Sequence, residues 1–328
     1  MENIFSQALK KIVDALTIEK IEYMIVGGFA VSYHNRARTT NDIDLILQIS
    51  YRDVGKILTY FPEWMEFKES FESDIKRGML FNLTDFNTGI RYDFMTLQDT
   101  EYGKVAFERR EKVSFWGVQC NISSREDLII SKLKWYQLSQ SEKQMDDLRF
   151  LFIDKTLDWD YIRDWTSKLK LSTYDYWGNK VNVSEDAARR QIAIIRSFSP
   201  EKRLKIAIDF ADMGISQTHS WIRSRYPEFS DYEVKLEFVR LMYYQTGEMP
   251  ELQWKHFKST MEKIIRKDWI LRFRNMMEEK KWSYDYVASL GGFKNGKVIE
   301  ATISRGLPSF AKLAVVVFEQ SKKAQTEK

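Results

Sequence analysis

The stretch MIVGGFAVSYHNRARTTNDIDLIL, residues 24–47, combines two apolar runs, a glycine pair and two aspartates one residue apart. Gly27 and Gly28 follow the first apolar run directly, and Asp42 and Asp44 stand at the start of the second. An ionised carboxylate is costly to remove from water unless a cation or a hydrogen bond compensates it. The stretch therefore allows two interpretations: a helix cap with a surface turn, or a metal site.

A third acid favours the metal site. Side chains two residues apart on a strand point to the same face, so Asp42 and Asp44 share one. Asp93 lies inside another apolar strand pattern, RYDFMTL, and its carboxylate joins the other two if the strands are neighbours. Three carboxylates suit Mg²⁺, which takes oxygen ligands and is usually bound together with substrate phosphates. The glycine pair, at a strand-to-helix turn, would let backbone N–H groups approach those phosphates.

The fold class follows from where strand patterns begin and end. Apolar strand patterns recur with a short helical piece between the first two, and after about residue 122 only helical patterns remain. Ser123 and Glu126 form a capping box that predicts a helix start there. We expect an α+β protein: a mixed sheet with flanking helices over 1–172, a helical middle domain over 186–248, and a basic helical domain over 253–328. The predicted strands cover 22–26, 43–49, 78–85, 91–97 and 113–122.

The pattern Gly-Gly, about a dozen residues, Asp-x-Asp, then a third acid on a later strand resembles the nucleotidyltransferase fold of the DNA polymerase β superfamily. Within it, the Arg-x-Thr before the acids and the later SREDLIISKLKWYQLSQSEKQMDDL resemble the small prokaryotic branch that includes AbiEii-type toxins. The resemblance covers about residues 1–155. It implies a magnesium-dependent enzyme that moves a nucleotidyl group from a nucleoside triphosphate (NTP) to a hydroxyl, in a toxin–antitoxin or phage-defence setting with a cognate partner.

The same resemblance assigns roles to individual residues. It makes the three aspartates both the catalytic residues and the metal ligands. Arg38 and Thr39, on the approach to the acids, are candidates for phosphate contact, with a plain surface role as the alternative. The expected nucleotide-binding residues are Gly27, Gly28, Arg38, Thr39, Lys132 and Asp147.

The C-terminal region carries the positive charge of the chain. From residue 253 to the end there are 16 Lys and Arg against 8 Asp and Glu, whereas the whole chain has a net charge of only +4. The segment YVASLGGFKNGKVIEATISRGLPSFAKLAVVVFE resembles the helix-turn-helix of Xre/Cro-type regulators. That resemblance implies duplex DNA as a partner. The alternative is a small helical bundle that binds protein or packs on the enzyme domain. The candidate DNA-binding residues are Lys294, Asn295, Lys297 and Glu300.

The remaining composition excludes several classes. One cysteine, Cys120, rules out a disulfide framework and fits a reducing cytoplasm. No apolar run approaches eighteen residues, so no membrane span is expected. The three histidines lack the spacing of zinc ligands. Three functions stay open: a nucleotidyltransferase acting on an RNA end or a protein, as the resemblance implies; a DNA-binding regulator or antitoxin-like protein with an inactive nucleotidyltransferase fold; or a helical interaction protein in a defence or toxin–antitoxin system.

Overall fold

The computed structural model describes residues 4–35, 40, 42–115, 117–152, 156–173, 194–195 and 197–326. The chain divides into two compact units, Met1–Gly214 and Ile215–Lys328. Over the residues described, no helix has the length and apolar character needed to cross a bilayer.

The first unit is built on one mixed six-stranded sheet in the order β3-β4-β2-β1-β6-β5. The pairs β2–β4 and β1–β6 are parallel, and the other neighbouring strands are antiparallel. The expected α+β class is therefore confirmed. The strands are β1 (Tyr23–Ile25), β2 (Asp42–Leu47), β3 (Phe81–Thr84), β4 (Arg91–Thr96), β5 (Glu111–Phe115) and β6 (Val118–Ile122).

The two faces of the central strands differ sharply. On β2, Ile43, Leu45 and Leu47 are fully buried, while the alternate residues are partly exposed. On β4 the buried Tyr92 donates a hydrogen bond from its hydroxyl to the carbonyl of Ala8 in the N-terminal helix, at 2.9 Å. One face is thus the core of the unit, and the acids stand on the other.

Helices surround this sheet. The N-terminal helix α1 has a continuous buried stripe, because its apolar residues recur at helical spacing. The helices of the first unit are α1 (Ile4–Ile18), α2 (Gly27–His34), α3 (Val54–Leu58), α4 (Lys68–Lys76), α5 (Glu101–Glu108), α6 (Arg125–Ser139), α7 (Glu142–Leu151) and α8 (Trp159–Lys168). Helix α9 (Pro200–Arg225) continues past Gly214 into the second unit.

Two local predictions were wrong. The segment 113–122 is not one strand but the hairpin β5–β6, with Gly117 in the turn at φ +79°, a conformation that glycine adopts without strain. The cap of α6 is Ser124 rather than Ser123: the Ser124 hydroxyl accepts a hydrogen bond from the backbone N–H of Asp127. An N-cap serine binds the N–H three residues on, and that geometry fixes the cap at Ser124.

The second unit is helical over its described residues. Its helix α10 begins with a capping box in which Ser230 and Glu233 satisfy each other's backbone N–H groups, as the sequence predicts. Glu233 also accepts hydrogen bonds from the Trp269 indole and the Lys312 ammonium, which joins three helices. These helices are α10 (Asp231–Val239), α11 (Glu251–Glu279), α12 (Tyr284–Leu290), α13 (Gly296–Arg305) and α14 (Ser309–Thr326).

Candidate active site

The parallel pairing of β2 with β4 brings the three predicted acids together. Asp44 lies directly opposite Asp93, and Asp42 lies opposite Arg91, on the same face of the sheet. Carboxylate oxygens of Asp42, Asp44 and Asp93 all lie within 4.8 Å of one another. The sequence-based expectation that these side chains converge is therefore met by the geometry.

Two further side chains contact this triad and were missed from the sequence. The Arg91 guanidinium, itself buried, lies 2.8 Å from an oxygen of Asp93 and 3.6 Å from one of Asp42. The Thr40 hydroxyl donates a hydrogen bond of 2.5 Å to Asp42. The sequence does indicate that Arg91 lies near the acids, because Arg91 stands two residues before Asp93 on the same strand and therefore shares its face.

The charged form of the Asp44 carboxyl is disfavoured in the folded protein. The pKa of its carboxyl is raised from 3.8 to about 7, first by burial and then by the negative charges of Asp42 and Asp93. Lys132 and a hydrogen bond from the backbone N–H of Gly28 oppose the shift. Burial and two neighbouring carboxylates thus favour the protonated form of Asp44, and a bound cation would oppose that effect.

The donor set fits a hard divalent cation. Three carboxylates with Arg91 carry a formal charge of −2, since Lys132 and Asp147 offset each other. A single divalent ion neutralises that charge, and oxygen is the ligand that Mg²⁺ prefers. The triad can therefore hold a divalent metal ion.

The glycine turn makes room for Asp44. Gly27 has φ +63°, and a Cβ built on it would lie 1.8 Å from Oδ2 of Asp44. The next residue, Gly28, donates its backbone N–H to the Asp44 carboxylate. The turn is also the start of α2, so the first amides of that helix face the acids. Glycine is required at position 27 both for its backbone conformation and for the space that Asp44 occupies.

We expect Gly27→Ala to lower the melting temperature and to abolish nucleotide binding, because the new methyl group displaces Asp44. Gly117→Ala is the matched control, since Gly117 has a similar φ of +79° and nothing within 4 Å of its hypothetical Cβ. Thermal unfolding of both variants, with and without magnesium and a triphosphate, measures the difference. An equal drop in melting temperature in the two variants would show that only backbone strain matters at position 27.

Lys132 and Asp147 form a buried ion pair at the wall of the site. Nζ of Lys132 lies 2.8 Å from Oδ2 of Asp147, and the two side chains are 5% and 0% exposed. The same ammonium donates to Oε1 of Gln144 at 3.0 Å. Helices α6 and α7 are thereby joined at the point where Lys132 faces Asp44. The structure thus brings two of the predicted nucleotide-binding residues into direct contact.

A second buried network holds the start of α6. The Asp127 carboxylate accepts hydrogen bonds from the Tyr161 hydroxyl at 2.6 Å, the Ser124 hydroxyl at 2.5 Å and Nε of Arg109 at 3.1 Å. This charged cluster ties the helix that carries Lys132 to α5 and α8. The cluster fixes the position of α6 above the sheet. No local sequence pattern predicts the cluster.

These elements enclose a cavity of about 500 Å³. Its polar part contains Gly27, Gly28, the three aspartates and Lys132. The rest is largely apolar and is formed by the sheet face beyond the acids together with side chains of α5 and α6. A charged end and an apolar end within one cavity suit a ligand that has both kinds of surface.

The other candidate residues lie elsewhere. Arg38 and Thr39 fall outside the described residues. Lys294, Asn295, Lys297 and Glu300 belong to the second unit, around the start of α13, and all four are exposed. The Asn295 side chain caps α13 by accepting a hydrogen bond from the backbone N–H of Val298.

A mixed sheet with three converging carboxylates on one face, beside a glycine turn and a helix lysine, defines the nucleotidyltransferase class. Residues 3–185 match the model of the family DUF6036, described as a nucleotidyltransferase of unknown function. The chain belongs to this family. No sequence among the curated proteins matches the chain.

Two solved structures are similar to part of the chain. One is the antibiotic-resistance factor ANT(2'')-Ia, at 14% identity and a TM-score of 0.36, over 52% of this chain and 93% of that one. The other is an antigenic nucleotidyltransferase-like protein from Paracoccidioides brasiliensis, at 16% identity and a TM-score of 0.29, over 50% of this chain and 86% of that one. Both are similar to the chain over about half its length.

Proposed function

We propose that the protein is a magnesium-dependent enzyme that transfers a nucleotidyl group from an NTP to a hydroxyl acceptor on an RNA end or a protein. The observation that carries the proposal is the convergence of Asp42, Asp44 and Asp93 within 4.8 Å in a cavity that also contains Lys132. Family membership supports the same class of activity.

In this proposal the acceptor oxygen attacks the α-phosphorus of the NTP and pyrophosphate leaves. The three aspartates would hold magnesium, which would neutralise charge on the phosphate oxygens. Asp93 accepts the proton of the acceptor hydroxyl at its carboxylate. Lys132 and the amides of the glycine turn bind the triphosphate, and the resemblance makes Arg38 and Thr39 candidates for contact with its phosphates. Asp147 orients Lys132 through their ion pair. Catalysis then rests on positioning and charge neutralisation.

The test is direct. The full chain is incubated with magnesium and each of the four NTPs in turn, labelled at the α-phosphate, together with total RNA and protein extract. Label should appear on one macromolecular fraction with release of pyrophosphate, and Asp44→Asn should give none. Labelling that is equal in the wild type and the variant would contradict the site, and no labelling with any NTP would contradict the activity.

The proposed biological setting is a toxin–antitoxin or phage-defence system. Its support is the resemblance of the residue 24–47 stretch and of the α6–α7 segment to AbiEii-type toxins. In that setting, expression of the chain alone should slow host growth, and Asp44→Asn should relieve the effect. Growth inhibition that persists in the variant would contradict an enzymatic toxin.

A second function, DNA binding by the basic region 253–328, is favoured by one observation. Lys294, Asn295, Lys297 and Glu300 are all exposed around the first turn of α13, the helix that the Xre/Cro resemblance assigns to the major groove. We propose duplex DNA as a partner of this region within the active enzyme. The alternative, a regulator whose first domain is inactive, is disfavoured by the retained triad.

The DNA proposal predicts a salt-dependent affinity. The full chain should bind duplex DNA, with log affinity falling by about 0.9 per phosphate contact for each unit of log salt. Lys297→Ala, combined with Lys294→Ala, should weaken binding about tenfold or more, whereas Lys205→Ala, a lysine on α9 in the first unit, should not change it. Electrophoretic mobility shifts at several salt concentrations measure this. Binding that is unaffected by the double change would assign α13 another role.

A further inference from the structure

The apolar end of the active-site cavity begins one strand step from the acids. On the sheet face that carries Asp44 and Asp93, the next side chains along β2 and β4 are Ile46 and Met95, which lie opposite each other. Met24 of β1 pairs with Ile46 and extends this apolar floor. Two residues of strand span about 6.6–6.8 Å, so the cavity changes from charged to apolar over that distance.

Four large exposed apolar side chains also line this cavity, beside the exposed Lys134 and Lys143. Trp135 and Leu138 of α6 line it and are 44% and 72% exposed. Met79 and Leu80, in the segment before β3, line it too and are 52% and 44% exposed. Four large apolar side chains in one cavity form a surface whose exposure to water is unfavourable, and such patches mark binding sites.

Trp135 stands on the nucleotide side of the site. It follows Lys132 by three residues on α6, so both side chains line the same cavity with a rise of about 4.5 Å between them. In-line displacement places the acceptor opposite the leaving pyrophosphate. Helix α6, which binds the triphosphate through Lys132, therefore lies on the nucleotide side of the site. The acceptor lies on the side of Asp93.

The side chains around Trp135 indicate which kind of ligand group binds beside them. An exposed indole offers a flat face for stacking on a heteroaromatic ring. Lys134 and Lys143 also line this part of the cavity, and their charges oppose a cationic ligand. A neutral planar ring attached to a polyanion satisfies the apolar floor, the indole and the lysines together.

We propose that Trp135 is a nucleobase-binding residue, which stacks on the base of the NTP whose phosphates Lys132 and the acids hold. This inference rests on the proposed function. Stacking depends on ring area and not on hydrogen bonds to the edge of the base. The site should therefore favour purine over pyrimidine triphosphates, with a smaller difference between adenine and guanine.

The experiment compares two probes on the full chain with magnesium. The first is a purine triphosphate with a non-hydrolysable α,β linkage, and the second is inorganic triphosphate, which has no base. Calorimetry should show the purine probe binding more tightly to the wild type. Trp135→Ala should weaken its binding by about 5-fold to 100-fold and leave inorganic triphosphate binding unchanged. Trp135→Phe should retain most of the affinity.

The control is Trp221→Ala, which removes another exposed tryptophan, 51% exposed on α9, and should alter neither affinity. An unchanged purine affinity in Trp135→Ala would overturn the inference and assign the apolar end to the acceptor. An equal loss for both probes would also overturn it, since the tryptophan would then act on the phosphate site. If the wild type binds neither probe, the proposed function itself fails, which is a different result from either of these.

Discussion

Asp44→Asn should reduce nucleotidyl transfer by about 100-fold to 1,000-fold or more while the protein remains folded. The substitution removes one of three negative charges from the triad and adds no bulk. Magnesium with an NTP should raise the melting temperature of the wild type, because a ligand that binds only the folded state stabilises it. The variant should show little of this rise. Differential scanning fluorimetry and the labelled-triphosphate assay measure the two effects independently.

The same variant should be more stable than the wild type when no metal is present. The pKa of Asp44 is raised to about 7 in the folded protein, so its ionisation at higher pH disfavours the folded state. The contribution of the Asp44 carboxyl to the free energy of unfolding is complete below pH 4, and it is lost as the pH rises through about 7. With a chelator at pH 8, Asp44→Asn should melt on the order of 5 °C above the wild type, and the difference should shrink at pH 5.

The melting temperatures in chelator and in magnesium with NTP test the role of Asp44 in two separate ways. A lower melting temperature for Asp44→Asn in chelator at pH 8 would show that Asp44 is stabilised by contacts other than a metal. Equal stabilisation of both proteins by magnesium and NTP would place the nucleotide site elsewhere.

Lys132→Ala should destabilise the protein strongly, by about 3–5 kcal/mol, because it leaves the carboxylate of Asp147 buried without its ion-pair partner. Nucleotide binding should be lost as well, since Lys132 lines the cavity beside the acids. Lys134→Ala, two residues along the same helix and exposed, should change the free energy of unfolding by no more than about 0.5 kcal/mol. Chemical denaturation of both variants gives the comparison.

A double variant distinguishes the structural role of Lys132 from its role in binding. Replacing Lys132 by Met and Asp147 by Leu removes both charges together, which is often neutral or stabilising for a buried pair. We expect the double variant to recover most of the stability and none of the nucleotide affinity. Recovery of both would mean that Lys132 serves only the fold.

The sequence allowed the fold class and the three acids to be predicted, because both depend on short-range periodicity. Alternation along a strand puts Asp42 and Asp44 on one face, and the apolar pattern around Asp93 places it on another strand. The step that brings them together, the parallel pairing of β2 with β4, is a long-range event that no local pattern encodes. It was assumed in the prediction and is observed in the structure.

Other features could not be predicted for the same reason. The contact of Arg91 with Asp42 and the Asp127 network with Tyr161 and Arg109 join side chains from distant parts of the chain. The split of 113–122 into a hairpin depended on the left-handed conformation of Gly117. A glycine in an apolar run permits such a turn without requiring it.

The pairing of Asp44 with Asp93 joins positions that are 49 residues apart. Contacts at such separations form slowly, because the loop between them must lose its conformational freedom first. During synthesis, the first two carboxylates emerge long before the third, and a growing chain that ends before β4 has no complete triad. Metal binding by three carboxylates can therefore begin only once β4 has docked beside β2. Metal affinity would then report the docking of β4 beside β2 during folding.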